Sequence, residues 1–323
     1  VKLIPAANAL ISAAHVRIES VKQAADTCAQ DLARIVHIEP VQIDNGRATA
    51  AGQMGQLSQN DIAQIQKDLD ALKDGTFDWR GMTQGQIADC YFLAPMAALA
   101  QTPEGQRKLA SMIQPHYDEH GNVDGYLVRL PADPAHPDTS PANEVFVHSK
   151  YINGAMQDPD GYQTGNEPHV SVYSILEAAW GQTHPGGSNS FDNNPPGINF
   201  GYSTQAFSVF TGKSAVELPI DQAAGGYTDA ERAKILLASQ QHQPIVAGTK
   251  EAASVYATVD GKDTEIRLVE HHAYTVVSAD ANGVTLCNPH GMNYSSDGNA
   301  PATFTLSWED YEAHYGSTVI GSL

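Results

Sequence analysis

Cysteine is scarce in this chain: Cys28, Cys90 and Cys287 are all that 323 residues hold. An odd, widely spaced set makes no disulfide framework, and no pair has the spacing of a zinc site. Thiols used so sparingly fit a reducing compartment, either a cytoplasm of origin or one into which the protein is delivered as an effector. Basic charge is scarce as well, with 18 Lys and Arg against 37 Asp and Glu and a formal net charge of −19. Such a surface repels nucleic acid and anionic membranes, and no basic run offers an exception. No apolar run approaches about 18 residues, so no membrane span is expected. The start has no charged segment followed by an apolar signal region. The chain begins at Val1 rather than Met, as a fragment or a processed form would. There is no internal repeat and no phosphate-binding glycine loop. Asp158-Pro159-Asp160-Gly161 opens like a calcium loop but lacks the remaining ligands, and reads as a turn. Neither a cofactor nor a metal is expected.

What is present is enough apolar material, 41% of residues, for more than one core. Residues 1–75 read as a helical arm. Ile11, Ala14, Ile18, Val21, Ala25, Cys28, Leu32 and Ile35 alternate steps of three and four along one stripe, and Pro40 stops it. Ser58 and Asp61 have capping-box spacing ahead of Ile62, Ile65, Leu69 and Leu72, and Gly75 ends that second helix. Such an arm either packs on the body or offers a partner or inhibitory contact. Residues 76–212 form a second unit, with a helix from Cys90 to Ala100 containing Pro95, strands at Tyr126–Leu130 and Glu144–His148, and a helix at Ser171–Gly181. The stretch Thr183–Gly201 reads as a rim loop. Residues 213–323 are strand-rich, with hairpin turns at Asp260-Gly261 and Asn282-Gly283. The whole is expected to be α+β.

One constellation carries chemistry. Cys90 stands where an apolar helix starts, and the helix dipole there favours thiolate. Far downstream come His271-His272-Ala273-Tyr274 and then Asn288-Pro289-His290-Gly291. A lone thiol, a distant His and a later Asn follow the chain order of a papain-type thiol catalyst. His272 would act as base and then acid, and Asn288 would hold its tautomer. The two flank one expected hairpin, near its open end. Gln84, six residues before the thiol, would join the Cys90 N–H in an oxyanion hole. Cys28 lies on an apolar stripe and reads as a small buried hydrophobe.

These blocks resemble the calpain family of cysteine proteases. Gln84-Gly85-Gln86-Ile87-Ala88-Asp89-Cys90-Tyr91-Phe92-Leu93-Ala94 is similar to that family's Gln-Gly-x-x-Gly-Asp-Cys-Trp-x-Leu-Ala, with Ala88 for Gly and Tyr91 for Trp. His272-Ala273-Tyr274 is similar to Gly-His-Ala-Tyr, with His271 for Gly. Asn288-Pro289-His290-Gly291 is similar to Asn-Pro-Trp-Gly, with His290 for Trp. Ser174 to Trp180, Phe210-Thr211-Gly212 and Phe304 to Tyr311 extend the likeness over residues 76–323 but not over the N-terminal helices. The resemblance implies a papain-like two-lobed core, Cys on one lobe (76–212) and His and Asn on the other (213–323), and an endopeptidase acting on protein or peptide substrates through a thioester. It implies a calcium-independent, bacterial-type member, because Gly81 stands where the family has an acid and Glu177 is the one matching acid. The exchange to His290 is expected to remove an aromatic shield over the Asn–His pair. Two other functions fit the same residues: a thiol acyltransferase or deamidase delivered as an effector or toxin, and a non-catalytic binding protein with a calpain-like cleft.

Overall fold

The computed structural model describes residues 57–85, 88–132, 142–148, 171–183, 198, 200–296 and 298–323. All belong to one compact unit, Gln42–Leu323. The expected helix over 11–35, Cys28, the turn at Asp158–Gly161 and most of the rim loop lie outside the described residues. The architecture is α+β, with helices and a small sheet around one core and a large antiparallel sheet around a second.

Helix α1 (Gln59–Asp74) starts with a complete capping box. The Asp61 N–H donates to Ser58 Oγ, and the Asp61 carboxylate accepts the Ser58 N–H. Gly75, at φ 75°, closes the helix in the left-handed conformation that glycine adopts without strain. Its apolar stripe, Ile65, Leu69 and Leu72, is buried in the first core. This second helix of the expected arm thus packs on the body of the protein.

Helix α2 (Cys90–Ala100) is apolar on every face and every residue of it is buried, so it is the axis of the first core. Phe92 stacks on Trp180 with centroids 5.5 Å apart and leans on Phe210 at 4.7 Å. Helix α3 (Pro103–Ser111) follows at once, its first turn capped by Thr102, whose Oγ1 accepts the Gly105 N–H at 3.1 Å. A side chain at Gly105 would meet the Leu99 carbonyl at 1.9 Å, so only glycine permits this tight elbow. Strands β1 (Ile113–Tyr117), β2 (Val123–Leu130) and β3 (Asn143–His148) form an antiparallel sheet in that order. Helices α4 (Val172–Thr183) and α5 (Ser203–Thr211) complete this half.

The remaining elements are β4 (Val216–Pro219), α6 (Asp229–Gln240), β5 (Ile245–Thr249), β6 (Ala253–Val259), β7 (Lys262–Leu268), β8 (Ala273–Ala279), β9 (Val284–Ser295), β10 (Gly298–Leu306), α7 (Trp308–His314) and β11 (Tyr315–Ile320). The eight strands pair antiparallel in the order β10-β6-β7-β9-β8-β5-β11-β4. Strand β10 also pairs with β9, which closes β10, β6, β7 and β9 into a ring. Inside sit Ile266, Leu286, Phe304 and Leu306, all buried. The two cores meet along α2. Thr275 Oγ1 donates to the Ala94 carbonyl at 3.0 Å and Gln101 Nε2 to the Val276 carbonyl at 2.9 Å. Val246, Ala273, Cys287 and Val319 of the sheet join the first core. No helix among the described residues is long and apolar enough to cross a membrane.

Candidate active site

Cys90 is the first residue of α2, where backbone N–H groups lack intrahelical acceptors. The side chain of the preceding Asp89 makes no cap hydrogen bond to the helix. The backbone N–H of Ala273, the residue after His272, lies near enough to the sulfur to favour its thiolate. That contact brings the thiol of the first half against the start of β8 in the second. Cys90, His272 and Ala273 line the same cleft, a cavity of about 270 Å³.

The loop before β8 is held from several directions. The His272 N–H donates to Thr249 Oγ1 at 3.0 Å, and the Thr249 N–H donates back to the His272 carbonyl at 2.9 Å. The Val269 N–H donates to Tyr274 Oη at 3.0 Å. His271, in the place where the resembled family has glycine, takes φ 47°. That left-handed geometry is uncommon for a side chain but commoner for His than for most, so His271 sits at some strain.

Strand β9 breaks in its middle. Pro289 has no N–H to give a ladder and Gly291 sits at φ 74°. The first half of β9 pairs with β8, and both halves pair with β10. Between the halves, Asn288 turns toward His272, and its Oδ1 lies 2.9 Å from His272 Nε2. Which atom donates follows from the next residue along. Asn293 Nδ2 donates to the Pro301 and Ala302 carbonyls at 2.6 and 3.0 Å, so its Oδ1 is left to accept. It accepts from Asn288 Nδ2 at 3.1 Å. Asn288 Oδ1 therefore accepts, from His272 Nε2 and from the His290 N–H at 3.0 Å. Nε2 must carry the proton, and Nδ1 keeps the lone pair a general base needs. The sequence reading found Asn288 and missed Asn293, which is fully buried; a polar residue at an inward strand position was the available signal.

The expected loss of an aromatic shield does not occur. The His290 ring lies against His272 with centroids 4.3 Å apart at 45°, and Tyr274 meets the same imidazole edge-on at 5.0 Å. A smaller ring still covers the pair because the bend of β9 brings it close.

Burial governs the ionisation here. It pushes the Cys90 thiol up to about 11, aided by the Asp89 charge and opposed by the Ala273 N–H. It pulls His272 down to about 3, with His290 adding to the effect and the Asn288 bond opposing it. Burial also lowers His290 to about 4. At neutral pH the resting pair is thiol and neutral imidazole, and a lone charge on either is disfavoured.

Gln84 is buried beside this machinery rather than on the described lining of the cleft. Its backbone N–H donates to the Pro289 carbonyl at 2.7 Å, which ties the segment ahead of Cys90 to the bend that carries Asn288. Tyr91 packs against Gly201, where a side chain would collide with the Tyr91 ring at 2.4 Å, and its hydroxyl accepts Trp180 Nε1–H at 3.0 Å. The remaining thiol, Cys287, is buried in β9 opposite Thr275 and Thr303 and does not line the cleft.

Glu177 on α4 and Asp89 are both wholly buried and their carboxyl groups interact, with no hydrogen-bonded cation among the described residues. Burial raises both, Asp89 to about 7 and Glu177 well above the usual carboxylate range, where the Asp89 charge also pushes it. Around neutral pH the pair therefore keeps at least one proton. Gly81 offers no side chain, and Glu177 faces another acid instead of a solvent-accessible ligand set. Among the described residues no group of three His, Cys, Asp or Glu could hold a metal ion.

No protein-family model and no curated protein matches the chain. The functional reading therefore rests on the residues and their geometry.

Proposed function

We propose that this protein is a calpain-like cysteine endopeptidase with a papain-like two-lobed core. Cys90 is the nucleophile, His272 the base and acid, and Asn288 the residue that orients the imidazole. One observation carries the reading. A thiol at a helix start shares a cleft with a histidine whose tautomer, set by Asn288 and Asn293, leaves Nδ1 basic.

The chemistry follows from that arrangement. Nδ1 takes the Sγ proton as sulfur attacks the carbonyl carbon of a peptide bond. Thiolate and imidazolium form together, so each offsets the cost of burying the other. The tetrahedral oxyanion is met by the Cys90 backbone N–H at the first helical position, and the Gln84 side-chain amide, buried beside the cleft, turns in to serve as the second donor. Collapse breaks the C–N bond, and the amine leaves with the proton from Nδ1. Water, activated by the same nitrogen, then cleaves the thioester and restores the thiol. The experiment is digestion of an unfolded protein such as casein, with products read by mass spectrometry. New peptide termini that disappear in Cys90→Ala support peptidase action. Deamidated or acyl-modified product without chain cleavage would replace it with transfer chemistry.

A further inference from the structure

Substrate selection is written in the register of the strands that floor the cleft; the inference rests on the peptidase reading. Val319 of β11 pairs with Val246 of β5 on one side and with Glu217 of β4 on the other, and Val246 in turn pairs with Thr275 of β8. Cross-strand partners share a face. Val246, Val319 and Glu217 thus form one row running outward from the place where Thr275 meets α2, and all three line the cavity. A second row, Ala273, Gly248 and Ser317, runs alongside it. Three interstrand steps separate β8 from β4, about 14 Å at the usual strand spacing. The floor beside the thiol is made of small residues. A side chain built on Gly248 would touch only Ser317 Oγ, at 3.9 Å. Tyr91, Phe200 and Tyr202, the last 75% exposed, also line the cavity.

The slot is therefore long, has an apolar row of Val246 and Val319 beside the polar Ser317, and ends in a carboxylate. Glu217 is the one Asp or Glu on the described lining, and no described cation pairs with it. An unbranched cationic side chain matches each part. Its stem would lie over Val246 and Val319, its head would reach Glu217, and a guanidinium would face the Tyr202 ring. The planar fork of arginine serves both contacts better than the point charge of lysine. A net charge of −19 attracts such substrates from a distance. We propose that the cleft selects peptides with an arginine close to the cleaved bond, and that Glu217 is the residue that reads it.

The test is a set of fluorogenic peptides in which each residue flanking the cleaved bond is in turn Arg, Leu or Glu. At one position Arg should exceed Leu in kcat/KM by about threefold to tenfold, as a solvent-accessible ion pair allows, with Glu lowest. Glu217→Gln should remove the Arg advantage and leave the Leu peptide unchanged, and Glu217→Arg should favour Glu. Cleavage with no Arg preference, or a preference that survives Glu217→Gln, overturns this inference and leaves the peptidase reading standing. Cleavage of none of the peptides overturns the peptidase reading. Binding of the same peptides to Cys90→Ala, by fluorescence anisotropy, then decides the selectivity separately: equal binding of Arg, Leu and Glu peptides overturns it.

Discussion

The proton on His272 is placed by two amides, and only the nearer one touches the ring. With Asn293→Ala, Asn288 loses the acceptor that fixes its orientation and can turn its Nδ2 toward the imidazole. Turnover is expected to fall about tenfold or more with little change in KM, since a misplaced proton affects the reaction rather than substrate binding. The ¹⁵N chemical shifts of His272 should show mixed tautomers; an unchanged single tautomer would assign Asn293 to packing alone. The thiols make a second test. Iodoacetamide at neutral pH should modify Cys90 through the neutral His272 base. In His272→Ala the same thiol should react appreciably only as pH climbs toward its own value of about 11, because thiolate forms above the pKa and not below it. Cys90→Ala should abolish peptide cleavage, and Cys287→Ala should leave most of it. Equal activity in all three proteins would remove the mechanism.

Helices α1 and α4 carry predictions at the next scale. Leu69 of α1 has no exposed surface, so Leu69→Ala is expected to cost about 2–5 kcal/mol in urea unfolding. A loss below about 1 kcal/mol would mean that α1 is peripheral after all. On α4, Glu177 shares a buried site with Asp89. The sign of the pH effect follows from the direction of the shifts. The folded state holds Asp89 protonated up to about 7, whereas the unfolded chain releases that proton near 3.8. Folding thus binds a proton, and the contribution to stability is present at low pH and declines as pH rises from about 4 through about 7. Glu177→Gln supplies a neutral donor and lowers Asp89. The fall in Tm between pH 5 and pH 8 should be smaller in the variant than in the wild type, and an equal or steeper fall would show that the pair does not titrate as described.

At the scale of the molecule, the question is what holds the two cores together over Cys90. Among the described residues, hydrogen bonds cross between them from Thr275 to Ala94, from Gln101 to Val276 and from Gln84 to Pro289. Four buried sheet residues reinforce them by joining the first core. Contacts within the chain thus hold the described cleft together. Cleavage of an unfolded substrate should persist in excess EGTA. Loss in EGTA with recovery on adding calcium would show that an ion takes part in closing the cleft.

Much of this was readable along the chain, for reasons tied to distance. The helix from Cys90 to Ala100, the capping box at Ser58 and Asp61, and the strands around Asp260-Gly261 and Asn282-Gly283 are set by neighbours a few residues apart, and each lies where local chemistry puts it. The juxtaposition of His272 and Asn288 was foreseeable because one hairpin carries both. Helix α3, strands β1, β4 and β11, and the outer half of β9 were not foreseen, since edge pairing and a mid-strand break depend on partners far away in sequence. The same holds for Asn293, whose role exists only once β10 brings the Pro301 and Ala302 carbonyls to it, and for the Asp89–Glu177 pair, which joins two helices more than eighty residues apart. Residue types and local spacing were enough to name a thiol, an imidazole and an amide. Which nitrogen holds the proton, what shields the ring and where a carboxylate closes the cleft were decided by tertiary packing, because each depends on atoms from several distant segments meeting within hydrogen-bonding or van der Waals range.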